Sequence, residues 1–481
     1  MQDNRNLSLM MDFYELTMSQ VYFEEGKNEE TVFDLFYRTN PENGGFAIFA
    51  GLEQVIDYIQ NLRFTPDQIE YLRSLGQFSD AFLDYLSTLR FSGDLWAVPE
   101  GTPVFPYEPL VRVKAPLIEA QLVETALLLA LNHQTLIATK ARRIVQAAGD
   151  KAVMEFGARR AHNFDSALYG ARAAYIAGVA GTATTEAGQS FGIPVLGTMA
   201  HSFIQSFPTE YDAFLAYART WPKSCTVLID TYNTMKSGLE NAIRVAKEYL
   251  EPNGYRLQGV RIDSGDMSYL SKKIRKRLDE AGMEDCKIVV SNSLDEYLIE
   301  SLLLRQGAQI DSFGVGENLI VSGKSPVFGG VYKMSAIAQG DQMVPRIKIS
   351  ENEEKITNPG YKKLYRIYSR EDGKAMADLI TLEEDKFSED EDVRIYHPMN
   401  KWKSKAFEKG TFTLRELLVP IFINGKLVYD KPTLDEIRAY CKEQQGTLWD
   451  ELKRYHNPQT YYVDLSENLL DLKLRMLSEL R

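Results

Sequence analysis

Between residues 151 and 333 the chain keeps returning to one pattern: a short β-branched run, most often followed by a helical stretch. The runs fall at 152–156, 194–198, 226–229, 259–262, 287–290 and 310–314. Several of the later ones are spaced by about thirty residues, the length of one strand–helix unit. Such a series predicts an α/β fold with a parallel sheet, and a closed (β/α) barrel is the natural form of it. Six strands, with a seventh at 327–332, favour an irregular parallel barrel over a regular eight-fold one. The helix after Val290 is predicted to open on a capping box, Ser293 with Glu296 three residues on.

The flanking regions read differently. Residues 9–23 suit a helix, 31–38 alternate like a strand, and 65–89 carry two helical segments parted at Gly76. Residues 94–113 are strand-like but broken by prolines. The stretch 119–148 is apolar on most faces and should be a buried helix. Beyond Lys333, hairpins are expected at 365–382 around Asp372-Gly373 and at 419–429 around Asn424-Gly425. Their strands need a sheet, and the N-terminal region is the available one. The last fifty or so residues, from Thr433, read as amphipathic helices. The expected division is 1–140, an N-terminal α/β domain, and 141–345, the barrel. Residues 346–430 are strands returning to the first domain, and 431–481 a helical tail. The second α/β domain is thus built from both chain ends.

Composition narrows the partners. A formal net charge of −12 argues against a nucleic-acid surface, though a pocket can still be locally positive. The three cysteines, Cys225, Cys286 and Cys441, are far apart and suggest neither a disulfide framework nor a zinc site. They fit a reducing cytoplasm. No stretch reads as a membrane span or a signal peptide.

In a parallel barrel the chemistry gathers at the C-terminal strand ends. Here those ends carry Glu155-Phe156-Gly157-Ala158-Arg159-Arg160, Gly197-Thr198-Met199-Ala200-His201-Ser202, Asp230-Thr231, Arg261-Ile262-Asp263-Ser264-Gly265-Asp266, Ser291-Asn292-Ser293 and Gly314-Val315-Gly316. Guanidinium forks suit phosphate or carboxylate oxygens. Glycine turns expose backbone N–H groups to phosphates. Asp263 and Asp266 could hold a magnesium ion. His201 is the one histidine of five placed just past a predicted strand, fit for proton transfer or attack on phosphorus.

Three of these segments, those of Glu155–Arg160, Gly197–Ser202 and Gly259–Asp266, resemble signatures of the nicotinate phosphoribosyltransferases. The opening Asp12-Phe13-Tyr14-Glu15-Leu16-Thr17-Met18 is similar to that family's Asp-x-Tyr-x-Leu-Thr-Met. The resemblance runs from about residue 9 to residue 334, with four motifs in family order. It implies a type II phosphoribosyltransferase fold. It also implies a reaction taking nicotinate, phosphoribosyl diphosphate, ATP and water to nicotinate mononucleotide, diphosphate, ADP and phosphate, within NAD salvage.

In that reading His201 is the phosphorylated histidine. Tyr14, Thr198 and Arg261 contact nicotinate. Arg159, Arg160, Ser202, Asp263, Gly265, Gly314 and Gly316 serve phosphoribosyl diphosphate and its phosphates, and Asp266 serves magnesium. The resemblance also implies a homodimer in which the N-terminal region of one subunit completes its partner's pocket. One residue departs from the pattern: Glu317 stands where the family often has a small hydroxyl residue. The rival readings are a nicotinamide or quinolinate phosphoribosyltransferase, a metal-dependent barrel lyase acting on a phosphorylated substrate, and a non-catalytic binding protein.

Overall fold

The computed structural model describes residues 5–480. The chain divides into two compact units. One runs up to Thr139 and resumes at Val327; the other is Lys140–Pro326.

The first unit is built on two sheets. Its seven-stranded sheet takes Glu30–Phe36 near the middle, paired antiparallel with Val331–Gln339 on one side and Val111–Pro116 on the other. Six consecutive residues of Glu30–Phe36 are buried, because both faces of this strand are covered. The strand expected at 327–332 is thus not a barrel strand. It lies at Val331–Gln339 in this antiparallel sheet.

The Asn424-Gly425 hairpin forms as expected, with both turn residues at positive φ, 50° and 71°. Its strand Val419–Ile423 joins the same sheet beside Asp94–Ala97. The hairpin of Lys362–Ser369 and Ala375–Leu382 does not join it. It belongs to a separate six-stranded sheet with Val393–His397, Asn400–Phe407, Phe412–Glu416 and Val463–Leu465. This sheet has its own apolar cluster, including Ile367, Leu379, Ile395 and Phe412, so it needs no place in the N-terminal sheet. Val463–Leu465 also interrupts the expected all-helical tail, between the helices Leu434–Gly446 and Glu467–Glu479.

The second unit holds a six-stranded parallel sheet in the order Gly181–Thr182, Ala152–Glu155, Ser312–Val315, Lys287–Ser291, Gly259–Ile262, Thr226–Leu228. The α/β class is as the sequence predicts. Among the described residues the hydrogen-bonded order is open, with Gly181–Thr182 and Thr226–Leu228 at its edges.

The run at 194–198 is not one of the six strands. It makes a single bridge, Thr182 with Val195. Gly181–Thr182 takes the place instead. A Cβ at Gly181 would lie 2.4 Å from the Pro194 carbonyl oxygen, so the two segments approach too closely for a side chain there.

The helix after Lys287–Ser291 is capped differently from expectation. Asp295, not Ser293, is the N-cap, accepting from Leu298 N–H at 2.8 Å. Glu296 makes no capping box because it turns into the interior, 2.8 Å from Lys140 Nζ and 2.7 Å from Arg143 Nε. Burial alone would push its carboxyl up, but the two cations hold it below the usual range. Stability from this group is therefore full above its unfolded pKa and lost as pH falls through the folded one. Glu296→Ala should cost about 3 kcal/mol, because it strips two buried cations of their shared carboxylate. Urea unfolding at neutral pH measures this, and the difference from the parent should shrink in acid.

Candidate functional site

At the strand ends of the parallel sheet, four of the predicted residues, Thr198, His201, Arg261 and Asp263, share one hydrogen-bonded circuit. Arg261 is the third residue of Gly259–Ile262. Its Nε donates to Ser291 Oγ at 3.0 Å, and a terminal nitrogen reaches Thr198 Oγ1 at 3.3 Å and the Met199 carbonyl at 3.5 Å. The other terminal nitrogen lies 3.5 Å from Asp263 Oδ2. Ser291 Oγ donates in turn to Asp263 Oδ1 at 2.8 Å. Asp230 Oδ2 accepts from the Asp263 N–H at 2.9 Å and from Ser264 Oγ at 2.6 Å. Next to Asp230, Thr231 Oγ1 lies 3.1 Å from His201 Nδ1. The circuit thus runs from His201 through 230–231 to Asp263 and Arg261, and returns through Thr198 and Met199.

The electrostatics leave room for an anion. Burial lowers the affinity of Arg261 for its proton, the Asp263 and Asp230 carboxylates restore part of it, and Arg159 lowers it again. Two guanidinium groups therefore act within one field. Such repulsion is relieved when a carboxylate or phosphate arrives. His201 begins the short helix His201–Gln205 and is half-buried. A neutral ring with its proton on Nδ1 donates to Thr231 Oγ1 and keeps Nε2 as a nucleophile.

The turns are shaped by close approach. Gly265 sits at φ 84° between Asp263-Ser264 and Asp266. A Cβ on Gly314 would fall 2.5 Å from a ring carbon of Phe156, and that ring stands 5.5 Å from the Arg261 guanidinium. Gly314→Ala should therefore displace Phe156 and loosen Arg261. The overpacking should cost about 1–3 kcal/mol. Nicotinate-dependent turnover should fall further than the thermal midpoint alone accounts for, measured well below that midpoint.

Other predicted residues stand apart from the circuit. Arg159 and Arg160 are exposed on the turn after Ala152–Glu155. Arg160 Nε lies 3.7 Å from Glu317, so the departing residue partly neutralises one arginine of the pair. Ser202 is exposed on the helix after His201. Gly316 precedes the short helix Glu317–Ile320 and its carbonyl accepts from Leu319 and Ile320. Asp266, expected at a metal, caps the helix Met267–Glu280 through its Oδ1, 2.8 Å from Tyr269 N–H. Among the described residues no group of three metal-ligating side chains is present.

Tyr14 belongs to the other unit, in the helix Phe13–Glu24, and is 42% exposed. Burial of its oxygen and the nearby Glu124 and Glu15 raise its phenol well above the ordinary value. In the same unit the ammonium of Lys333 is lowered by burial, with Lys348 and Arg38 adding to that and Glu124 opposing it. The sequence reading gave no role to Asp230, Thr231, Ser291 or Phe156. All four end predicted strands or follow them, and that position was the signal.

A parallel α/β sheet whose strand ends assemble guanidinium groups, carboxylates and a histidine defines a protein that handles anionic small molecules. Family models match it along most of its length. The nicotinate phosphoribosyltransferase N-terminal domain covers residues 9–132, the nicotinate phosphoribosyltransferase family 151–370, and the C-terminal domain 361–473. The chain is 45% identical to the nicotinate phosphoribosyltransferase of Bacillus subtilis, over 99% of this chain and 96% of that protein. It is 32% identical to the Homo sapiens nicotinate phosphoribosyltransferase, over 96% and 95%. The crystal structure of the human nicotinic acid phosphoribosyltransferase superposes with a TM-score of 0.86 at 30% identity, covering 97% of this chain and 99% of that one. This chain belongs to the nicotinate phosphoribosyltransferase family. Among the described residues no helix is long and apolar enough to cross a membrane.

Proposed function

We propose that the chain transfers the 5-phosphoribosyl group from phosphoribosyl diphosphate to the nitrogen of nicotinate, giving nicotinate mononucleotide and diphosphate within NAD salvage. The observation that carries this reading is the Arg261 circuit. A half-buried guanidinium, held by Ser291, Thr198 and Asp263, offers a carboxylate a charged partner that an amide cannot exploit equally. Negative charge on Asp230 and Asp263 suits the cationic character that develops at the ribose carbon as its bond to diphosphate breaks. Arg159 and the turns at Gly314–Gly316 face the opposite need, the charge of the leaving diphosphate. The family membership supports the same substrates.

ATP enters this reading as the driving co-substrate. His201 attacks the γ-phosphorus, ADP leaves, and the phosphohistidine is later hydrolysed to phosphate as the transfer product forms. Thr231 supports this role by fixing the ring through Nδ1. Magnesium fits as an ion delivered with the phosphates, since such ions commonly keep waters and take only one or two carboxylates. The buried Asp230 Oδ1, which has no hydrogen-bond partner among the described residues, and Asp263 are the groups that would hold it. Its charge would stabilise the departing diphosphate. The exposure of Tyr14 supports a homodimer in which that ring stacks in a partner's pocket. The burial of Cys225, Cys286 and Cys441, far apart in the sequence, supports a cytoplasmic setting. The bridge of Val195 onto the edge strand Gly181–Thr182 supports reading the open sheet as an irregular barrel.

The test is a competition. Purified protein with phosphoribosyl diphosphate, ATP and magnesium receives nicotinate, nicotinamide and quinolinate together. Nicotinate mononucleotide should be the dominant product. Preference for either rival base, or cleavage of a sugar phosphate without any base, would replace this reading with the corresponding alternative.

A further inference from the structure

The side chain of Glu155 is fully buried beneath the strand-end turns, and nothing so far gives it a task. One of its oxygens accepts from the Gly157 N–H, at the root of the turn that carries Arg159. The other accepts from Thr182 Oγ1 at 2.5 Å, on the neighbouring strand. Thr182 Oγ1 itself accepts from the Thr184 N–H at 2.9 Å. The Glu155 carbonyl takes the Ala183 N–H at 2.9 Å. Two successive strand-end turns are thereby fastened through one carboxylate.

With an ionised Glu155, the Thr182 hydroxyl receives the Thr184 N–H and gives its own proton to the carboxylate. Both oxygens of Glu155 therefore face donors, and only a side chain with acceptors at both ends satisfies the site. Gln is isosteric but brings one acceptor: its NH2 either opposes the Gly157 N–H, or donates to the Thr182 hydroxyl and leaves that hydroxyl's proton without the carboxylate. The close approach also explains Gly157: a Cβ there would lie 2.8 Å from the carboxylate oxygen and 2.5 Å from Ile320 Cβ.

We infer that Glu155 is a positioning residue for the anion site, fastening the Gly157–Arg160 turn, which carries Arg159, to the Gly181–Thr184 turn. It touches no substrate; it acts through the arginine. The inference rests on the phosphoribosyl-transfer reading for what the anion is, but not for whether an anion is held.

The probe is inorganic diphosphate, titrated calorimetrically into the full-length protein. Glu155→Gln and Thr182→Val should each weaken its binding about tenfold or more, since small displacements of a charged partner are expensive. Thr182→Ser keeps the hydroxyl and should bind like the parent. The Glu155→Gln/Thr182→Val pair should lose less than the product of the single losses, because both substitutions remove the same bond between the Thr182 hydroxyl and the Glu155 carboxylate. Where transfer is measured, the loss should appear in KM for phosphoribosyl diphosphate and not in KM for nicotinate. Thr182→Val removes only a hydroxyl in an isosteric frame, so it remains readable should Glu155→Gln not fold.

Parent-like binding in both Glu155→Gln and Thr182→Val would overturn the inference, as would equal losses in Thr182→Ser and Thr182→Val. A parent that holds no diphosphate would overturn it too. A parent that holds diphosphate but transfers nothing to nicotinate would sink the transfer reading alone.

Discussion

Replacing Arg261 with lysine is expected to lower kcat/KM for nicotinate by about two to three orders of magnitude while leaving the protein folded. Lysine keeps the charge but loses the fork that reaches Ser291, Thr198 and Asp263 together. Losing one partner of a desolvated, hydrogen-bonded charge pair typically costs about 2–5 kcal/mol, and each 1.4 kcal/mol is about tenfold. Part of the loss should fall on kcat, because Asp263 is aligned through the same Ser291 hydroxyl that Arg261 engages. Discrimination against nicotinamide should shrink in parallel, since the neutral base never depended on the guanidinium. Steady-state kinetics with both bases measures the two effects. A lysine variant with parental kcat/KM for nicotinate would place the carboxylate elsewhere.

The second large effect is expected from His201→Ala. The ATP-dependent acceleration should vanish, a loss on the order of a hundredfold or more at low substrate, while slow ATP-independent transfer persists. Folding should change little. The ring is half-buried and its hydrogen bond with Thr231 Oγ1, at 3.1 Å, is worth about 1 kcal/mol. Transfer with and without ATP, set beside the thermal midpoint, separates this from a structural role. A variant that unfolds, or one still stimulated by ATP, would argue that the imidazole is only a tether for the turn.

Part of the candidate site is legible in the sequence because parallel strands place chemistry at their C-terminal ends. Arg261, Asp263, Thr198 and His201 were each assigned by that rule together with the family resemblance, and they do share one circuit. Asp230 and Ser291 stand at predicted strand ends too but receive no role from the sequence, because a carboxylate and a hydroxyl there look like ordinary turn residues until their partners are known. Asp266 went the other way. An acidic residue one position before a helix has a local use as a cap, and the structure employs it there.

The fold shows the same limits. Gly181–Thr182 carries no β-branched run, so it was invisible as a strand, while the apolar 194–198 segment looked like one and makes a single bridge. Val331–Gln339 has the same local character whether it pairs in a parallel or an antiparallel sheet; its partner, Glu30–Phe36, lies about three hundred residues earlier, beyond the reach of any local pattern. Glu296 imitated a capping box because its spacing from Ser293 was right, yet two buried cations claimed its carboxylate.

The most direct measurement of the central claim is covalent labelling. The protein incubated with γ-labelled ATP and magnesium, then quenched in alkali, should carry phosphate that survives base and is released by acid, mapped to His201. The label should disappear on adding phosphoribosyl diphosphate and nicotinate, with nicotinate mononucleotide formed in step. Label that never forms in an active preparation, or that resides on another residue, would contradict the account.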